Sequence, residues 1–121
     1  MNILFDHNTP RPLKKPLPDH HVALTKEMDW QELSNGKLLA KAQELFDVII
    51  TTDTNIEHQN IVANFDLAMI VLRGYSNGSR ELAALMPLVN EALKDIQPGQ
   101  VLHFYVDDRL QQIDQRKGKI E

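Results

Sequence analysis

The chain contains no cysteine among its 121 residues, which excludes disulfide bonds, thiolate zinc sites and cysteine nucleophiles. Aromatic residues make up only 6% of the sequence, so aliphatic side chains have to build the core. No apolar run approaches the roughly 20 residues that span a bilayer. The segment Met1–Asp6 lacks the basic region and the long apolar stretch of a signal peptide, so we expect a cytoplasmic protein.

Positive charge is also scarce, with 13 basic residues against 17 acidic ones and a net charge of −4. This balance excludes a strongly basic nucleic-acid coat, and a polyanion partner would need a local basic patch or a bound metal ion. Apolar residues make up 42% of the chain, as in soluble globular proteins. The length suits one domain, which we assign to residues 1–106, followed by a charged, flexible tail over residues 107–121.

Short apolar segments alternate with helical patterns along the chain. The block Val48–Ile50 has no polar alternation, which predicts a strand buried on both faces, as in a parallel sheet. A helix is predicted from Ser34 or Asn35 to Leu45, and two more over residues 79–85 and 87–95, with a break at Met86 before Pro87. The predicted strands are 3–5, 21–25, 48–52, 67–72 and 100–106. This order predicts an α/β fold with a mainly parallel sheet.

Parallel sheets bind ligands at the carboxyl ends of their strands. Asp6 follows the first predicted strand, Asp53 the third and Arg73 the fourth, and Asn35 begins a helix at the same edge. Two carboxylates that converge there can hold Mg²⁺ or Mn²⁺ together with water and phosphate oxygens. The alternative is that both aspartates only form turns or cap helices, and spacing alone favours that alternative.

Several neighbours of these aspartates also carry hydrogen-bonding groups: Asn8, Thr9, Thr51, Thr52, Thr54 and Asn55. They either orient the carboxylates or cap loops, and the sequence leaves both possibilities open. His7 is either an acid–base group near the site or an exposed loop histidine. Arg73 either contacts a phosphate group of a ligand or pairs with a nearby carboxylate.

Three segments resemble the small PIN-like proteins of bacteria, which are related to the ribonuclease toxins of toxin–antitoxin modules. They are Ile3–Pro10 (ILFDHNTP), Phe46–Asn55 (FDVIITTDTN) and Ala68–Arg73 (AMIVLR). The resemblance covers roughly residues 1–106 and implies a three-layer α/β/α sandwich. It implies that Asp6 and Asp53 bind Mg²⁺ or Mn²⁺ and, with Asn35, cleave RNA. It also implies an antitoxin protein as a partner and a homodimer.

This chain departs from the PIN-like pattern at three positions. His7 and Asn35 stand where relatives carry acids, and Lys37 replaces a common glutamate. Asp29, Glu32 and Glu57 are further acids that the sequence does not place near the site. The first hypothesis, which the Asp6 and Asp53 motifs favour, is a PIN-like metal-dependent ribonuclease that acts as the toxin of a toxin–antitoxin module. The alternative is a catalytically depleted PIN-like module that binds RNA or a protein partner without cleavage. A phosphate-transfer domain is a third, weaker hypothesis.

Overall fold

The computed structural model of the protein describes residues 1–56, 62–107 and 112–117. They contain one six-stranded sheet with the strand order β2-β1-β3-β4-β5-β6. The strands from β1 to β5 pair in parallel, and β6 pairs antiparallel with β5. The strands are β1 (Asn2–Phe5), β2 (His21–Leu24), β3 (Val48–Thr51), β4 (Ala68–Arg73), β5 (Val101–Asp107) and β6 (Gln112–Lys117). The prediction of an α/β fold with a mainly parallel sheet is confirmed.

The helices of the structure follow sequence signals closely. The helix α1 spans Asn35–Leu45, and the Ser34 hydroxyl caps it by accepting the Lys37 N–H at 3.5 Å. The fold also contains the helices α2 (Ser79–Leu82) and α3 (Met86–Ala92) and short 3₁₀ turns at Arg11–Lys14, Val62–Asn64 and Ala83–Leu85. In the described ranges, no helix has both the length and the apolar content that crossing a membrane requires.

The helices pack on both faces of the sheet, because strand side chains alternate between those faces. On one face, Leu4, Ile49 and Met69 pack against α1 through Leu38, Leu39 and Ala42. On the other face, Phe5, Ile50 and Ile70 pack against Leu82, Met86 and Val89 of α2 and α3. Full burial of one such aliphatic side chain stabilises the fold by about 1.5–3 kcal/mol. The two clusters fix the carboxyl ends of β1 and β3 side by side.

The expected break at Met86 is wrong, because Met86 keeps helical dihedrals (φ −64°, ψ −34°). Pro87 lies in the first turn of α3, where its missing N–H leaves no helical hydrogen bond unmade. The chain changes there from a 3₁₀ turn to an α-helix, and its backbone dihedral angles remain helical throughout.

The strand β6 lies inside the segment that the sequence analysis assigned to a charged tail. Gln112–Lys117 pair with the outer edge of β5, from Leu102 opposite Lys117 to Asp107 opposite Gln112. An edge strand needs backbone pairing rather than an apolar pattern, and charged side chains protect such an edge. The polar sequence QIDQRK therefore carried no strand signal.

Candidate functional site

The carboxylate of Asp6 is held between the ends of β1 and β3. Asp6 follows β1 directly and is only 2% exposed. Its backbone N–H donates to the Ile50 carbonyl at 3.2 Å. The Thr51 hydroxyl donates to Oδ2 at 2.7 Å, and the Thr9 hydroxyl lies 2.6 Å from Oδ1. Both carboxyl oxygens of Asp6 therefore contact a threonine hydroxyl.

The hydrogen bonds around Thr9 favour a proton on Asp6. The Thr9 hydroxyl also lies 2.8 Å from the Ile50 carbonyl oxygen, but one hydroxyl carries one proton. A protonated Asp6 donates to Thr9 and leaves Thr9 free to donate to Ile50, so every contact is satisfied. Burial raises the pKa of the Asp6 carboxyl above its usual value, and the opposing hydrogen bonds from Thr9 and Thr51 do not cancel that effect.

Asp53 is linked to Asp6 through Thr51. The Asp53 N–H donates to the Thr51 hydroxyl at 2.9 Å, and the same hydroxyl donates to Asp6. The Asp53 carboxylate is half-buried and accepts the Asn55 N–H at 2.8 Å. The charge of Asp53 is one of the smaller causes that raise the pKa of Asp6. The structure thus brings the two predicted acids to one edge of the sheet.

A cavity of about 660 Å³ opens beside Asp6. The exposed side chains of His7 and Asn8 line it, and Arg11 and Lys26 add positive charge. The Asn8 carbonyl accepts the Thr52 hydroxyl at 3.2 Å, which ties the loop after β1 to the loop after β3. The cavity therefore gives solvent and ligands a route towards Asp6, whereas Asp53 does not line it.

Asn35 and Arg73 lie at the same edge of the sheet as the two acids but on other elements. Asn35 is the first residue of α1, which leads into the amino end of β3 and so begins near the carboxyl edge. Arg73 ends β4, and β3 separates it from the strand that carries Asp6. Lys37 is exposed on the first turn of α1. Glu57 lies outside the described residues.

The acids present suit a cation that takes only one or two of its ligands from the protein. Among the residues that the structure describes, no three His, Asp or Glu side chains form a group that could hold a metal ion. Mg²⁺, however, is bound through one or two carboxylates with water and substrate phosphates completing its shell. Asp6 and Asp53, with threonine hydroxyls beside them, supply that kind of oxygen donor. Binding at Asp6 requires loss of its proton.

Sequence reasoning missed the role of Glu81, which organises the loop after β4. Its carboxylate accepts the N–H groups of Tyr75, Ser76 and Asn77 at 3.0, 3.0 and 3.1 Å. Burial alone would raise the pKa of Glu81, but these backbone bonds together lower it below its ordinary value. A glutamate three residues after the helix cap at Gly78 was the available signal, since it matches the spacing of a capping box.

Gly74→Ala is expected to release this loop. A Cβ at Gly74 would overlap the Glu81 carboxylate, whereas a Cβ at Gly78 would meet only the Ser76 hydroxyl at an ordinary 3.5 Å. We expect Gly74→Ala to lower the free energy of unfolding by about 1 kcal/mol. It should also return the pKa of Glu81 towards its ordinary value in an NMR titration. Gly78→Ala is the control, and a lowered Glu81 pKa retained in both variants would contradict the expected overlap.

The chain was compared with protein-family models, with curated proteins and with solved structures, and no match was found in any of the three. The functional assignment therefore depends on the residues described above.

Proposed function

We propose that this protein is a PIN-like, metal-dependent ribonuclease of the cytoplasm that acts as the toxin of a toxin–antitoxin module. The observation that carries the proposal is the pair of Asp6 and Asp53, which Thr51 joins at adjacent strand ends, with an open cavity on the Asp6 side. In this proposal RNA is the substrate, an antitoxin protein is the partner, and the protein is a homodimer.

Asp6 and Asp53 would hold Mg²⁺ or Mn²⁺, and Asn35 would supply a neutral oxygen at the same edge. Such an ion polarises a phosphodiester and lowers the pKa of its bound water. Thr9 and Thr51 fix the orientation of the Asp6 carboxylate through their hydroxyls. Positively charged Arg11 and Lys26 attract the RNA phosphates to the cavity.

His7 has a further role in this proposal. It is exposed at the cavity and directly follows Asp6. In this role its imidazole donates a proton to the oxygen that leaves the cleaved phosphodiester.

The burial of Asp6 favours a second candidate, a PIN-like module that binds RNA or a protein partner without cleavage. Both carboxyl oxygens of Asp6 already have hydroxyl partners, and burial raises its pKa. The positions of His7 and Asn35 also lack the charge that would draw a divalent ion. In this candidate the cavity binds a ligand but supplies no metal-dependent chemistry.

Cleavage of a labelled single-stranded RNA in Mg²⁺ or Mn²⁺, compared with EDTA, tests the proposal. The ribonuclease proposal predicts that the natural protein cleaves the RNA and that EDTA abolishes this cleavage. The matched variant combines His7→Glu with Asn35→Asp and restores two acids. If only that variant cleaves RNA or binds Mn²⁺ in a calorimetric titration, the natural protein is the depleted module. If neither protein does so, the ribonuclease proposal fails.

A further inference from the structure

A second group of aromatic and basic side chains lies farther along the same edge, near the ends of β4 and β5. Arg73 is the register partner of Tyr105, and its guanidinium carbon lies 5.3 Å from the Tyr105 ring centroid. The His103 ring lies parallel to Tyr105, with centroids 6.1 Å apart and 12° between the planes. The Tyr105 ring thus supports the Arg73 guanidinium, which is itself exposed.

Tyr75 completes a small cleft with these residues. Its side chain is 68% exposed, although large aromatic side chains are few in this chain. A cavity of about 170 Å³ is lined by Arg73, Gly74, Tyr75, Tyr105 and Val106. The Tyr75 N–H is fixed by Glu81, so an ordered backbone presents the exposed ring.

We propose that the cleft between Arg73, Tyr75 and Tyr105 binds one unpaired base of single-stranded RNA. This inference rests on the proposed function for the identity of the nucleic acid. Unpaired bases stack on tyrosine rings and on arginine guanidinium planes, and both surfaces line this cleft. The positive charge of Arg73 also attracts the RNA backbone to a protein whose net charge is −4.

The position of the cleft gives it a role in substrate selection. The strand β4 neighbours β3, and adjacent strands lie about 4.8 Å apart, so the cleft lies one to two strand spacings from Asp53. That is within about one nucleotide of a phosphate bound at the acidic pair. A base can enter the cleft only when it is unpaired, so the cleft selects single strands over duplexes.

Fluorescence anisotropy with a labelled oligoadenylate RNA in EDTA tests the inference without requiring cleavage. Tyr75→Ala should weaken binding about tenfold, as expected for the loss of one base–aromatic stack. Tyr75→Phe keeps the ring and should change binding by less than about twofold. Arg73→Lys keeps the charge but loses the plane, so it should weaken binding as well. Leu45→Ala, at a residue 55% exposed on the opposite edge, is the control.

An abasic oligonucleotide of the same length separates stacking from phosphate contact. The natural protein should bind the abasic oligonucleotide weakly. Tyr75→Ala should bind the abasic oligonucleotide with the same affinity as the natural protein does. Equal binding of the oligoadenylate by the natural protein and Tyr75→Ala would overturn the inference, and so would a natural protein that does not bind it. The anisotropy titration in EDTA is independent of cleavage. If Tyr75→Ala weakens binding there but the natural protein does not cleave RNA in Mg²⁺, this inference stands and the ribonuclease proposal is rejected.

Discussion

Asp53→Asn is expected to reduce metal-dependent RNA cleavage by at least about a hundredfold, because the proposed site has only two carboxylates. Loss of a residue that only supports a metal ligand typically reduces metal affinity or activity 10- to 100-fold, and loss of the ligand itself should reduce activity further. The fold should be unaffected, since Asp53 is half-buried and its backbone N–H still reaches Thr51. The measurement is the initial rate of cleavage of a single-stranded RNA at saturating Mg²⁺.

Asp66→Asn is the matched control for this experiment. Asp66 is an exposed aspartate that precedes β4 at the opposite edge of the sheet, so its substitution changes the charge equally but leaves the site intact. Cleavage should persist in Asp66→Asn. Equal rates in the natural protein and Asp53→Asn would remove Asp53 from the mechanism, and equal losses in both variants would show a general effect of charge.

The elements α1 and β3 could be predicted because the residues that signal each of them lie within or directly beside the element itself. Ser34 caps α1, and Leu38, Leu39 and Ala42 recur on one face of it. The block Val48–Ile50 has no polar alternation, and the structure buries it on both faces of the sheet. The strand β6 could not be predicted in this way, because the sequence of Gln112–Lys117 lacks an apolar pattern and the strand is recognised by its backbone pairing with β5.

The sequence also predicted that Asp6 and Asp53 would meet, but not how they interact. Their meeting follows from the parallel pairing of β1 and β3, which a buried apolar pattern predicts. The contacts of Thr9 with both Asp6 and Ile50 depend on the sheet register and the path of the loop after β1. No pattern in a single sequence encodes either, so the burial that raises the pKa of Asp6, and the hydrogen bonds that oppose it, could be recognised only in the structure.

The contacts of Asp6 imply that its charge opposes folding at neutral pH. Burial raises the pKa of this carboxyl above the value in the unfolded chain. Its contribution to stability is therefore complete below the unfolded pKa, near 4, and is lost as the pH rises through the higher folded pKa. Catalysis by a metal ion needs the ionised carboxylate, so the proposed function uses the form that the fold disfavours.

Asp6→Asn is accordingly expected to stabilise the protein at pH 7.5 while it strongly reduces metal-dependent cleavage. An asparagine amide can donate to Thr9, which then donates to Ile50, and its carbonyl can accept from Thr51, as in the protonated acid. We expect a gain of about 1 kcal/mol, or about 4 °C in Tm. The gain should shrink towards zero below about pH 4, where the natural carboxyl is protonated.

The measurement is the thermal unfolding of Asp6→Asn and of the natural protein between pH 7.5 and a pH below about 4. Asp19→Asn, at an exposed residue, is the charge-matched control. Asp19→Asn should change stability by less than about 0.5 kcal/mol at every pH. The loss of cleavage in Asp6→Asn should reach about a hundredfold, as for Asp53→Asn. A variant that is less stable than the natural protein at pH 7.5 would show that ionised Asp6 is well accommodated. A more stable variant that still cleaves RNA would separate Asp6 from the metal, because asparagine brings no charge to a divalent ion.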